Sequence, residues 1–197
     1  MTKSSRRNRR GKRGERGLSL IEVMIAILIM AIGLTAITQL LILALNMNNR
    51  NAKDTTATLL AQKVIEQIAA INPATPNTVS ITDCAGNAWN ISTTEGAAPN
   101  GAGANLVTNA GSVNYGAIDQ TQKFSAIGAG YAMRYVDCSN AGGTQTTYDV
   151  RWNIMTLRAG STRLITASAR PAASNASLLG GQLFAIPVNL RSIGGTP

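Results

Sequence analysis

The stretch RGERGLSLIEVMIAILIMAIGL, Arg13 to Leu34, places one carboxylate, Glu22, within an apolar run that is otherwise uncharged. The run extends over residues 18–45, 28 positions in which the other polar side chains are Ser19, Thr35, Thr38 and Gln39. A helix over this run would be about 42 Å long, whereas bilayer hydrocarbon is about 30 Å thick. The run therefore predicts a membrane-spanning helix that tilts or projects at one end. A charge at the centre of such a helix costs roughly 2.5 to 3.5 kcal/mol, so Glu22 calls for a cationic partner.

The positive charge of the chain is concentrated before the apolar run. Residues 1–17 carry a net charge of +7, and the rest of the chain carries only +2 of the total of +9. A basic segment next to an apolar run holds that end on the cytoplasmic side of the membrane. The alternative, a basic arm that binds nucleic acid, is disfavoured because no basic face with interleaved aromatic residues follows it.

Cys84 and Cys138 are the two cysteines of the chain. The topology puts them outside the cytoplasm, in an oxidising compartment where disulfides persist, and we expect them to pair. Closing the segment between them would stabilise the fold by roughly 4 kcal/mol on a loop-entropy argument. Two free buried thiols are the alternative. Without histidine, two cysteines do not supply the four ligands of a structural zinc site.

The apolar run is longer than the core of a secretory signal peptide, and no A-x-A cleavage site follows where one would be needed. A plain membrane anchor would explain its length but not Glu22, unless the carboxylate extends to the membrane edge. The phrase GLSLIEVMIA, Gly17 to Ala26, after a short basic leader, resembles the type III signal of type IV pilins and pseudopilins. In that family a glycine precedes an apolar residue, Ser or Thr, further apolar residues and a glutamate, and about 20 apolar residues follow.

The resemblance implies how this segment is processed. A prepilin peptidase would cut between Gly17 and Leu18 on the cytoplasmic side, and the new amine of Leu18 would be methylated. Most members have Phe where this chain has Leu18. Glu22 is the conserved acid of the motif. In a dry helix bundle an unpaired carboxylate is costly, and cleavage creates a cation that could pair with it.

A helical pattern continues after the apolar run. Leu60, Val64 and Ile68 recur every four residues, and Pro73 disfavours helical geometry at Asn72. These patterns predict one helix over residues 18–71, whose second half packs an apolar stripe against a sheet. Gly33 either softens the middle of this helix or permits close helix packing.

The remainder is predicted to hold a long loop and then strands. Residues 81–130, rich in Gly, Ala, Asn, Thr and Ser, are expected to form a loop with a short strand at AWNIS. YDVRWNIM alternates as a half-buried antiparallel strand does, YAMRYVDC and RLITASAR flank it, and LFAIPV is an edge-strand candidate because it contains Pro187. The arginines on or beside these strands are expected on a solvated face, with a basic contact patch as the alternative: Arg134, Arg151, Arg158, Arg163 and Arg170.

Catalysis finds little support in this sequence. There is no histidine, and the carboxylates after the helix are scattered: Asp83, Glu95, Asp119, Asp137 and Asp149. They form neither an acid–base pair nor a calcium loop of the D-x-D type. We expect no enzymatic activity, no metal site and no cofactor.

The predicted fold is α+β, with a long N-terminal helix packed on a small antiparallel sheet, as in pilins. The predicted organisation is a cleaved leader (1–17), a pilin helix (18–71, transmembrane over 18–45) and an extracytoplasmic domain with a Gly/Ala/Asn-rich loop (72–197).

EVMIAILIMAIGLTAI is similar to the helices of the PilV group of minor pilins. The resemblance implies a minor pilin in the bacterial inner membrane, with its C-terminal domain in the periplasm, which then enters a surface pilus. Its expected partners are other pilins, the prepilin peptidase and the inner membrane. A type II secretion pseudopilin, a bitopic binding protein with an uncleaved anchor and a nucleic-acid binder are the alternatives.

Overall fold

The computed structural model describes residues 19–138, 145–158, 161–172 and 186–195 and divides after Asn48 into two compact units. One α-helix, α1, spans Leu20–Ala69 and begins in the first unit. Its bounds lie within two residues of the predicted 18–71, and it ends before Asn72, where Pro73 disfavours helical geometry. The helix is continuous through Gly33, where an added Cβ would meet no atom within 4 Å.

The described part of the second unit holds the rest of α1, nine strands and one short 3-10 turn at Phe124–Ala126. The strands are β1 (Thr78–Thr82), β2 (Ala88–Ser92), β3 (Ala102–Gly103), β4 (Leu106–Asn109), β5 (Ser112–Ile118), β6 (Ala132–Asp137), β7 (Thr146–Arg158), β8 (Thr162–Pro171) and β9 (Val188–Gly195).

The main sheet is antiparallel and is built around β7. Its order is β3-β7-β8-β9, and β6 also pairs with β7, beside β3 on the same edge. β1 with β2 and β4 with β5 form two separate antiparallel hairpins. A long helix with antiparallel sheets confirms the α+β fold that the sequence predicts.

One face of the main sheet packs against the apolar stripe of α1. Leu60, Val64 and Ile68 are at most 6% exposed, and they share one core with the alternate residues of β7. Those residues are Tyr148, Val150, Trp152 and Ile154, which are completely buried. Residues spaced by about four on the helix thus pack against residues spaced by two on the strand.

The opposite face of β7 is also buried from Asp149 to Met155, which corrects the expectation of a half-buried strand. Arg151 and Asn153 on β7 are each 2% exposed. The segment between β3 and β6 covers them, because Asn153 Nδ2 donates to the carbonyl oxygen of Ala104 at 2.8 Å and Arg151 Nη1 to that of Gln122 at 2.7 Å. Buried polar side chains of this kind need such partners.

The expectation of a long loop over residues 81–130 is wrong for much of that range. AWNIS forms β2 as predicted, but β3, β4, β5 and the 3-10 turn also lie there. The glycines permit close approach to the sheet. Gly103 has φ +113°, and an added Cβ would overlap the carbonyl oxygen of Trp152, so a larger residue is excluded there.

Two further predictions need correction. Residues 183–185 of LFAIPV lie outside the described residues, and β9 starts at Val188, after Pro187, as the edge strand of the described sheet. The expected solvated face is wrong for Arg151, which is 2% exposed, and for Arg163 on β8, which is completely buried. Its Nη2 donates to the carbonyl oxygens of Ile68 and Ile71, where α1 ends, and its Nη1 donates to that of Thr93 at 3.3 Å. A cation at a helix C-terminus also opposes the negative end of the helix dipole.

Adjacent leucines of α1 provide a matched test of the helix–sheet interface. Leu60 is 6% exposed and Leu59 is 59% exposed. Leu60→Ala should lower the free energy of unfolding by about 2 to 5 kcal/mol, because it leaves a cavity in the core. Leu59→Ala should change it by less than about 1 kcal/mol. Urea denaturation of the detergent-solubilised chain measures both, and equal losses would contradict the packing described here.

Candidate functional site

Glu22 lies in the first turn of α1, close to the predicted processing point. The backbone N–H groups of Glu22 and Val23 donate to the carbonyl oxygen of Ser19 at 3.0 and 3.2 Å, which makes Ser19 the residue that starts the helix. Glu22 is exposed in the single chain. Gly17 and Leu18, the predicted cleavage and methylation residues, lie outside the described residues. The pairing of Glu22 with an amine at Leu18 therefore stays a prediction.

The first half of α1 exposes apolar side chains on every side. From Leu20 to Met47 its large hydrophobic residues are between 41% and 80% exposed. By length and composition α1 could cross a membrane, since its most apolar window has a mean hydropathy of 2.6. A helix that is apolar all round belongs in lipid or among other helices. The apolar N-terminal helix is consistent with anchoring in an inner membrane.

Hydroxyl groups in this half of the helix are satisfied locally. Thr35 Oγ1 donates to the carbonyl oxygen of Ile32, and Thr38 Oγ1 donates to that of Leu34, both at 2.8 Å. Such bonds within the helix suit an environment without water. The Glu22 carboxylate has no such partner within this segment, because it is the one charged residue in positions 18–49 and no basic side chain there can pair with it.

Cys84 and Cys138 form a disulfide, with their Cα atoms 6.0 Å apart. This confirms the expected pairing. The bond joins the turn between β1 and β2 to the residue that follows β6, and thereby links the first hairpin to the main sheet. Closing the intervening loop in the unfolded chain is the main route by which such a bond stabilises a domain.

Asp83, next to the disulfide, is a buried carboxylate that the sequence reasoning did not single out. Its side chain accepts hydrogen bonds from the backbone N–H groups of Asn87, at 2.8 Å, and Val136, at 3.2 Å, and from the indole N–H of Trp89, at 3.2 Å. The backbone N–H of Ala85 and the amide of Asn87 complete the set. Through Val136, Asp83 links the β1–β2 hairpin to β6, and the disulfide links the same two parts of the chain. The turn residues of DCAGN are the sequence signal that indicates such a turn.

The environment of Asp83 strongly favours its ionised form. Burial alone raises the pKa of the carboxyl group, but hydrogen bonds from the side chain and backbone of Asn87, from Trp89 and from Val136 outweigh this effect. The resulting pKa is about 2, below the usual 3.8. Hydrogen bonds donated to a carboxylate are known to lower its pKa in this way.

Comparison with protein families identifies the N-terminal segment. Residues 12–38 match the Prokaryotic N-terminal methylation motif, a type IV pilin-like signal. No curated protein and no solved structure matches the chain significantly. The match includes Gly17, Leu18 and Glu22, and it indicates a protein of the type IV pilin-like and pseudopilin class. Such a signal implies processing by a prepilin peptidase and assembly with other pilins.

The low pKa of Asp83 predicts a pH dependence of stability. The carboxylate contributes fully above the unfolded-state pKa, near 4, and its contribution is lost as the pH falls towards about 2. Asp83→Asn should lower the free energy of unfolding at pH 7 by about 1.5 to 3 kcal/mol, because bonds to a charged acceptor are replaced. The loss relative to wild type should shrink between pH 4 and pH 2.

Urea denaturation from pH 7 to pH 2, with the disulfide intact and tryptophan fluorescence as the signal, measures this dependence. Glu66→Gln, at an exposed position of α1, is the control and should follow the wild-type pH profile. A constant difference between Asp83→Asn and wild type across this pH range would contradict the assignment.

Proposed function

We propose that the chain is a minor pilin of a type IV pilus, cut between Gly17 and Leu18, methylated at Leu18 and held in the inner membrane until assembly. The single observation that carries this proposal is the methylation motif at residues 12–38, with Glu22 as the one charge in positions 18–49. A type II secretion pseudopilin shares both features. The similarity of the helix to the PilV group supports the pilus.

Glu22 is proposed to pair with the α-amine of Leu18 in its own or a neighbouring subunit. The two residues are four positions apart, about one helical turn, which brings the α-amine within reach of the Glu22 carboxylate. The positive end of the helix dipole also favours a carboxylate in the first turn, but by only about 0.3 to 1 kcal/mol. An unpaired charge in a dry interior costs several kcal/mol, so the dipole is insufficient and a full cation is needed.

This pairing would couple processing to assembly. Before the cut, the amine of Leu18 is part of a peptide bond and carries no charge. After the cut it is a cation next to the only charge of the apolar helix. A processed subunit would then gain from burying its helix among other helices, whereas an unprocessed one would bury an uncompensated carboxylate.

We also propose that the domain after α1 acts in structure and binding rather than catalysis. Asp83 is occupied by backbone and side-chain hydrogen bonds, and Asp149 by a bidentate contact with Arg151 at 2.7 and 2.9 Å. Neither carboxylate is available as a general acid or base. A bitopic binding protein with an uncleaved anchor would share this domain and would differ in its N-terminus.

Processing is tested by the intact mass of the membrane-extracted protein. We expect a chain that begins at methylated Leu18. Gly17→Glu should leave the precursor uncut, because a bulky charged residue stands at the cleavage point. Gly14→Glu makes the same change three residues upstream and should be processed as in wild type. A membrane form that keeps residues 1–17 would exclude the pilin and pseudopilin proposals and favour the bitopic anchor.

The charge pair is tested by Glu22→Val. The variant should be cut and remain in the membrane, yet its abundance in sheared pili should fall at least tenfold, since breaking a buried pair costs about 3 to 5 kcal/mol. Glu66→Val removes a carboxylate from the exposed side of the same helix and should assemble normally.

Mass spectrometry of sheared pili measures both variants and also shows whether wild-type protein is in the pilus at all. Wild-type abundance of Glu22→Val would exclude the charge-pair mechanism. Absence of the processed wild-type chain from pili would favour the pseudopilin.

A further inference from the structure

A row of charged side chains crosses the main sheet on the face opposite α1. The strand register places Arg134 on β6 directly beside Asp149 on β7, and Asp149 directly beside Arg170 on β8. Paired residues of neighbouring strands point to the same face, and Arg151, two residues after Asp149, shares it as well. Three of the five arginines on these strands therefore converge.

The one carboxylate in this row is already neutralised. Arg151 Nε and Nη2 bind the two oxygens of Asp149 at 2.9 and 2.7 Å, and Arg151 Nη1 donates to the carbonyl oxygens of Asp119 and Gln122. Arg151 is thus committed to internal contacts. Arg170 Nη2 lies 3.8 Å from Asp149 and donates to the carbonyl oxygen of Gln120. The charges of Arg134 and Arg170 exceed what Asp149 can balance.

A cavity of about 310 Å³ opens over this row. Its lining includes four cationic side chains, Lys123, Arg134, Arg151 and Arg170, against the single carboxylate of Asp149. The cations approach from different directions, because Lys123 comes from the connection between β5 and β6 while the arginines come from three strands. The volume is at the lower end of the range for small-molecule sites, which is about 300 to 1,000 Å³.

Arg134 is held in position by an aromatic ring. Its guanidinium carbon lies 5.0 Å from the ring centroid of Phe124, which belongs to the 3-10 turn at the rim of the cavity. A cation over a ring at this distance is attracted to its face. This contact reduces the freedom that Arg134 would lose when a ligand binds, and it leaves the edge donors of the guanidinium for an anion.

We propose that this cavity binds the phosphate or sulfate group of a small molecule. A tetrahedral oxyanion accepts hydrogen bonds from several directions, which suits cations that converge from separate elements, and charge-assisted bonds of this kind are strong. The cavity has room for the group itself or for a phosphorylated sugar. A subunit of a pilus and a subunit of a secretion system could both carry such a site.

The test is an NMR titration of the full chain in nonionic detergent at constant ionic strength. The probes are sodium phosphate and sodium sulfate, with sodium chloride as the ionic control, and then glucose 6-phosphate with glucose as its control. We expect saturable shifts of the Gln122, Phe124 and Arg134 amides with the oxyanions. Neither chloride nor glucose should give them. Tighter binding of glucose 6-phosphate than of phosphate would identify a phosphorylated organic ligand, and equal binding would identify the group alone.

Two variants and a matched control locate the site. Lys123→Gln and Arg134→Gln change exposed side chains, and each should weaken binding about tenfold, as expected when one charge-assisted bond is lost. Arg158→Gln removes the same charge from the other end of β7, about 30 Å along the strand from Asp149, and should leave binding unchanged. Unsaturable shifts, or an equal effect of Arg158→Gln, would overturn the proposal. Spectra that match wild type outside the cavity confirm that the variants fold.

Discussion

The packing of the apolar stripe of α1 against one face of β7 and β8 is the contact on which the rest of the second unit depends. Ala61, Val64 and Ile68 are completely buried there, as are Trp152 on β7 and Ile165 on β8. A sheet with one apolar face cannot bury that face by itself, and the apolar stripe of α1 covers it. Once this face is fixed, the register decides which side chains point away from the helix.

Those opposite side chains explain why the segment between β3 and β6 is ordered although it has little apolar content. Its small core has four buried residues, Ala104, Leu106, Ile118 and Ile127. Polar contacts with the sheet do the rest, for example from Thr166 Oγ1 to the carbonyl oxygen of Tyr115 at 2.7 Å. A buried donor loses its hydrogen bonds to water on folding, and a hydrogen bond to such an acceptor offsets that loss. The polar side chains of the sheet thus hold the Gly-rich segment between β3 and β6 in place.

The two halves of α1 differ in the solvent that each requires. The second half buries one side within its own domain, and its other side suits water. The first half buries nothing within the described chain and exposes apolar surface far beyond what a soluble monomer tolerates. Lipid and a bundle of similar helices would both cover this apolar surface. In either environment Glu22 needs a cation beside it, and that is the role proposed for the amine of Leu18.

The sequence by itself determined the long helix, its apolar first half, the methylation motif, the strands of alternating pattern and the α+β fold, because each depends on residues close together along the chain. The pairing of Cys84 with Cys138 was also predictable, from the count of cysteines and the expected topology. The burial of Arg151 and Arg163 could not be predicted. The alternating pattern of a β-strand shows which residues share a face, but it does not show what packs over the second face. The hydrogen bond from Val136 to Asp83 and the cavity beside Arg134 depend on strands that are brought together from distant parts of the chain. Only the tertiary structure decides such contacts, since the partners of a buried charge are chosen by register and packing rather than by local sequence.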